Sequence, residues 1–151
     1  VGLFRVKLEF APYPIYEAQA WPVRRPDLQL PVLPLIQGES REELLVEKIA
    51  AFTGRPYIKG RDVFDIWFLR QVLGVECQGD LLHKKWADYH ILDPARLLQK
   101  NLASLAAEHV QHEMDRFLPE PYRSQLATDG YRQVLKVHRQ VVQEALGKIS
   151  S

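Results

Sequence analysis

At 151 residues, with 46% hydrophobic and 26% charged, the chain has the composition of one globular domain large enough to bury a core. A net charge of +1 excludes a global field for nucleic acid or membrane, so any polyanion site has to be a local patch. A single cysteine, Cys77, excludes an internal disulfide and fits a reducing, cytoplasmic compartment; no cysteine cluster suggests zinc, no run has the length of a membrane span, and no signal-peptide pattern opens the chain.

The first ten residues, VGLFRVKLEF, alternate Phe4, Val6, Leu8 and Phe10 with Arg5, Lys7 and Glu9, the period of a half-buried strand. An isolated strand is not stable, so this one must pair with strands that the chain mostly does not contain. It begins at Val1 with no methionine and no lead-in, which reads as a piece whose upstream part lies elsewhere. Residues 11–37 hold Pro12, Pro14, Pro22, Pro26, Pro31 and Pro34, which predicts a connection with at most short edge strands, one of them from LPVLPLI.

Ser40 then opens a helix, because S-R-E-E is a capping box with Glu43 three positions after the cap. Gly54, with Pro56 just beyond, ends it. The loop RPYIKG leads to a second helix from about Asp62 to Leu73, closed by Gly74. Helical spacing resumes at Pro94, in an N1-like position after Asp93, and runs through DPARLLQKNLASLAAEHVQHEMDRFL. PEPYRSQL reads as a break, and GYRQVLKVHRQVVQEALGKI as a closing helix. The predicted fold class is α+β but predominantly helical: one or two strands followed by a helical bundle.

In the first helix Leu44, Leu45, Lys48, Ile49 and Phe52 share one face. A lysine on such a face snorkels, pairs with a carboxylate, or meets a ligand. In the second helix Asp62 is a candidate N-cap, and Asp65 either completes the capping or pairs with Arg61 at i+4. The same three residues also fit a phosphate-handling site, in which carboxylates hold Mg²⁺ and the lysine meets a phosphate.

The order of these features resembles the second half of the AbiEii/AbiGii nucleotidyltransferase toxin family. A charged strand like VKLEF is followed by a loop, by a helix of the form E-x-L-x-x-E-K-h-x-A, and by R-D-h-x-D-h-x-h-L, where h is apolar. Glu43, Leu45, Glu47-Lys48-Ile49, Ala51, Arg61-Asp62, Asp65 and Leu69 match in order and spacing. The resemblance covers roughly residues 1–75, and implies that they form the second half of a nucleotidyltransferase-like catalytic domain, with residues 76–151 a helical region. It implies Mg²⁺ and a nucleoside triphosphate as cofactors, an acceptor such as tRNA, and a cognate antitoxin. On it, Lys48, Asp62 and Asp65 are the catalytic candidates, with Asp65 the more structural partner. Lys48 and Arg61 are candidates for holding the nucleotide, and Glu9 for a third, metal-binding carboxylate. The family's Gly-Ser turn and Asp-x-Asp motif do not occur in this chain, so the polypeptide by itself is expected not to transfer nucleotides.

The rival reading is a non-enzymatic helical interaction module, or a degenerate remnant, with Trp67, Phe68, Trp86 and Tyr89 on its faces and Lys48 snorkelling. A third option is hydrolysis or nuclease activity, which acidic residues and Mg²⁺ would also serve. A nucleotide-dependent thermal shift separates the transferase from the module. His109 and His112 on one helical face raise metal binding but have no obvious third ligand and are read as a solvated face. His83, Asp88 and His90 raise the same question and are read the same way, and Cys77 is read as inert. Arg24-Arg25, Lys84-Lys85 and the Arg132, Lys136, Arg139 face are small basic patches of solvated surface, which in a whole enzyme would line an RNA-binding surface.

Overall fold

The computed structural model describes residues 12–23 and 34–149. The strand expected over Phe4–Phe10, Glu9 within it, and Arg24-Arg25 lie outside the described residues. Two short strands come from the proline-rich stretch. Ala18–Pro22 (β1) and Leu35–Glu39 (β2) pair antiparallel, with Ala18 opposite Glu39 and Pro22 opposite Leu35. A two-stranded ribbon is marginal at best in water, so its stability has to come from what it rests on.

Seven helices follow it among the described residues, which makes the fold α+β and predominantly helical. Helix α1, Arg41–Gly54, begins where the capping signal places it: Ser40 Oγ accepts the Glu43 N–H at 3.0 Å. The reciprocal half of the box does not form. Ser40 N–H donates instead to the Glu17 carbonyl at 2.8 Å, because the Glu43 carboxylate is buried and bonded elsewhere. At the other end the Asn101 amide donates to the Phe52 carbonyl at 2.6 Å, meeting one of the acceptors a helix terminus leaves open.

Helix α2, Gly60–Trp67, starts two residues earlier than the sequence predicts, with Lys59 as its cap residue, and runs on into a π-helical turn at Phe68–Val72. Asp62 is therefore the third residue of the helix and not its cap. Gly74 stops the chain's helical course at φ +68, a backbone conformation that suits glycine. Then follow α3 (Gly79–Asp88), α4 (Pro94–Ser104), α5 (Ala107–Phe117), α6 (Glu120–Ala127) and α7 (Arg132–Gly147).

The structure departs from the sequence pattern after Pro94 and again at PEPYRSQL. The helical run after Pro94 is not continuous: Leu105 and Ala106 are extended, Leu105 is buried, and its carbonyl accepts from Arg139 at 3.3 Å. The break lets α4 pack on α1 and α7 while α5 turns to pack on α2, which one straight helix could not do. PEPYRSQL is a helix, not a break. Its prolines stand at the cap and in the first turn, where a missing N–H removes no helical hydrogen bond.

Helix α1 packs on α2, α3 and α4, and α2 on α5 and α7. One core takes in Leu45, Ile49, Val63, Ile66, Leu82, Trp86, Leu98, Met114, Val134 and Val141, so every helix except α6 contributes to it. No described helix is long and apolar enough to cross a membrane.

The α2–α5 crossing depends on a missing side chain. A Cβ at Gly60 would lie 2.0 Å from the His109 carbonyl oxygen and 3.0 Å from Val110 Cα, both backbone atoms that no rotamer change can move. Gly60→Ala is expected to destabilise the protein by about 1–3 kcal/mol through forced separation of the two helices. A denaturant midpoint equal to that of the parent protein would show that the crossing relaxes freely.

His138 is buried on α7 with its ring 4.5 Å from Phe52, and neither ring nitrogen has a hydrogen-bond partner among the described residues. Burial, with Arg139 nearby, pushes its pKa down to about 3. The folded state thus holds His138 neutral where an unfolded chain would protonate it. The stability this contributes is complete above about pH 6.5 and is lost as pH falls towards the folded value. Urea midpoints measured from pH 7 to 4.5 should fall in the parent protein and stay flatter in His138→Phe; parallel curves would remove the histidine from the effect.

Candidate functional site

The short loop between α1 and α2 folds the chain back, so that the end of α1 faces the start of α2. This brings together the lysine and both aspartates singled out in the sequence. Lys48 Nζ lies 2.5 Å from Asp65 Oδ2 and 3.7 Å from Asp62 Oδ1. Lys48 is therefore not a snorkelling residue but an ion-paired cation between two carboxylates.

The two aspartates differ. The Asp62 side chain is 3% exposed; its Oδ1 faces Lys48 and its Oδ2 accepts from Arg55 Nη1. Burial pushes the Asp62 carboxyl above its ordinary pKa, Arg55 and Lys48 pull it back, and Asp65 pushes with burial. Asp65 is 38% exposed and Lys48 26%, so this pair is open to solvent. Both line a cleft of about 470 Å³ bounded by the hairpin, α1 and the end of α2 with its π-helical turn, together with Trp21, Glu39, Arg41 and Phe68.

Arg61 stands apart from this cluster. Its backbone N–H donates to Glu113 Oε2 at 3.0 Å, its Nε lies 3.4 Å from the same oxygen, and its guanidinium sits 4.5 Å from the centre of the Phe117 ring. It faces α5, and the i+4 pairing with Asp65 does not form. Among the described residues no group of three or more His, Cys, Asp or Glu is placed to hold a metal ion. Asp62 faces a cation with each oxygen, Arg55 bonded to Oδ2 and Lys48 at 3.7 Å from Oδ1, so its carboxylate is already balanced by side-chain charge.

The side chains of the lesser candidates have ordinary duties. His109 Nδ1 accepts the Ala106 N–H at 3.1 Å, the His83 ring bonds the Lys148 carbonyl at 3.0 Å, and Asp88 accepts from the Tyr16 hydroxyl at 3.0 Å. Cys77 is buried, and burial pushes its thiol up to about 11, far from thiolate chemistry at neutral pH.

One residue read as solvated surface is the opposite. Lys85 is 1% exposed, and its ammonium lies 2.8 Å from Glu43, 3.2 Å from Glu47 and 3.4 Å from Glu39. It also donates to the Pro14 carbonyl at 3.2 Å. Glu43, fully buried, accepts from the backbone amides of Tyr16 (3.0 Å) and Glu17 (2.6 Å). Burial by itself would raise the Glu43 carboxyl, but the Lys85 and amide hydrogen bonds outweigh it and hold the group below its ordinary pKa. Burial would likewise lower Lys85, and the glutamates outweigh it and hold the ammonium well above the usual lysine range.

This cluster clamps the hairpin and the segment before it onto α1 and α3. Because Glu39 belongs both to the clamp and to the cleft wall, the clamp also fixes part of that wall. Glu39, Glu43 and Glu47 recur every four residues, a signal visible in the sequence; that Lys85 answers it is a contact 38 or more residues away, which periodicity cannot show.

Neither a curated protein nor a solved structure matches the chain. A family model does, over residues 4–140, and its description is nucleotidyl transferase AbiEii toxin, type IV toxin–antitoxin system. That span takes in Lys48, Asp62, Asp65, the clamp and all the helices up to the middle of α7. The chain belongs to the AbiEii nucleotidyl transferase toxin family of type IV toxin–antitoxin systems.

Proposed function

We propose that this chain supplies the triphosphate-gripping part of a nucleotidyltransferase toxin, which moves a nucleotidyl group from a nucleoside triphosphate to a hydroxyl of an RNA such as tRNA, under the control of a cognate antitoxin in the cytoplasm. The observation that carries the reading is the Lys48 ammonium, held by two carboxylates at the wall of a cleft open to solvent. In this reading residues 1–75 belong to the catalytic domain and residues 76–151 are the helical region that braces it.

In nucleotidyl transfer the acceptor hydroxyl gives up its proton to solvent as its oxygen bonds to the α-phosphorus, the bond from that phosphorus to the bridging oxygen breaks, and pyrophosphate leaves. Negative charge gathers on the phosphate oxygens, and a cation already in place there stabilises it without reorganising at the moment of reaction. Asp62, buried, with one oxygen bonded to Arg55 and the other facing the ammonium, orients Lys48. Asp65 is the exposed partner, the one that a phosphate can replace at the ammonium. Arg61 would reach the nucleotide only by leaving Glu113. Glu9 keeps its place as a candidate metal carboxylate.

The test is transfer of α-labelled ATP, CTP, GTP and UTP, each with magnesium, to total cellular RNA by the native full-length polypeptide. Labelled RNA of tRNA size is the expected result. No label on any RNA with all four nucleotides would sink the reading.

A further inference from the structure

The Lys48 cleft has a second feature that phosphate handling does not explain: an apolar floor and a fixed aromatic group. Leu44 (37%), Phe68 (38%) and Leu73 (37%) are all exposed, and all three line it. Trp21, on β1, stands at the same cleft with its ring held in one orientation. Its indole N–H donates to the Glu39 carbonyl at 3.0 Å. Gly38, on β2, leaves the space the ring fills, since a Cβ there would lie 3.3 Å from Trp21 Cδ1. The Arg41 guanidinium sits 5.3 Å from the centre of the indole, within reach of a cation–π contact.

Arg41, Leu44 and Lys48 are spaced i, i+3, i+7, so they follow one another along a single face of α1. Two helical turns, about 10 Å, separate the first from the last. A ligand lying along this face meets an aromatic–guanidinium pair at one end, aliphatic side chains beneath it, and an ammonium at the other end. That order suits a molecule with a flat π surface at one end and anionic groups at the other, which is the chemistry of a nucleotide.

We propose that Trp21 and Arg41 form the shelf on which the nucleobase stacks, with Lys48 meeting the phosphates; this rests on the reading of Lys48 as a triphosphate ligand. A stack on an indole and a guanidinium uses the π face that every base has, so the shelf supplies affinity without choosing strongly among bases.

Calorimetric titration of the native full-length protein, with magnesium present, tests it. The probes are the four nucleoside triphosphates and inorganic tripolyphosphate, which has the charge but no base. Trp21→Ala is expected to weaken nucleotide binding roughly tenfold or more and leave tripolyphosphate unchanged, with Trp21→Phe in between. Lys48→Ala is expected to weaken both probes. If Trp21→Ala binds nucleotides as the parent does while Lys48→Ala loses them, the shelf is overturned and the lysine's role stands. Equal loss of nucleotide and tripolyphosphate in Trp21→Ala overturns it too, since the indole would then only hold the cleft together. A parent protein that binds neither probe overturns the shelf and the triphosphate reading together.

Discussion

Lys85→Met is expected to destabilise the protein by about 3–5 kcal/mol, as removal of one partner from a buried ion pair generally does. Methionine keeps most of the side chain's length and apolar contact, so the loss reports on the charge. Three glutamates would be left within 3.4 Å of the vacated position, one of them fully buried. Because Glu43 is the group stranded, the loss should shrink at acid pH, where a protonated carboxyl needs no counter-charge. A double-mutant cycle with Glu43→Gln separates the pair from packing. Coupling means that the second substitution costs much less once the first is present. Additive losses across the cycle would show that Lys85 and Glu43 stabilise the fold independently, and that the clamp is not a unit.

The same clamp shows where sequence reasoning reaches and where it stops. Local chemistry was legible: Ser40 capping, Gly54 and Gly74 as stops, and the helical stripe of α7 depend on residues within a turn or two of one another. The meeting of Lys48 with Asp62 and Asp65 was legible for a similar reason, since a five-residue connection keeps the start of α2 close to α1 and both helices turn apolar residues into the same core. Lys85 was not, because its neighbours Lys84 and Trp86 give no hint of which side faces inward, and its partners lie in another helix and a hairpin. Glu43 was read as the second half of a capping box, a sound local rule that a buried lysine overrode. Arg61 was drawn off by Glu113 and Phe117, more than fifty positions along the chain. PEPYRSQL misled for a different reason. Proline is a breaker inside a helix and a starter at its first turn, and composition does not say which position it holds.

Lys48→Ala is expected to reduce nucleotidyl transfer by the native full-length protein about 10²–10³-fold, the usual effect of removing one preorganised group that stabilises transition-state charge. Its fold should persist. Lys48 is partly exposed, Asp65 is free to take up water, and Asp62 keeps Arg55 as its counter-charge, so the cost in stability should stay within about 1 kcal/mol. Those two expectations together distinguish a working lysine from a merely structural one, which would lower stability and activity in step. Lys48→Arg sharpens the distinction: a planar guanidinium keeps the charge but not the compact ammonium between the carboxylates, so the ion pair can re-form while transfer is only partly recovered. Asp65→Asn frees the ammonium from its nearest partner and should disturb transfer less than loss of the lysine itself. Transfer rates in Lys48→Ala equal to those of the parent, with the fold intact by circular dichroism, would take the lysine out of the mechanism and leave its two aspartates as nothing more than its ion-pair partners.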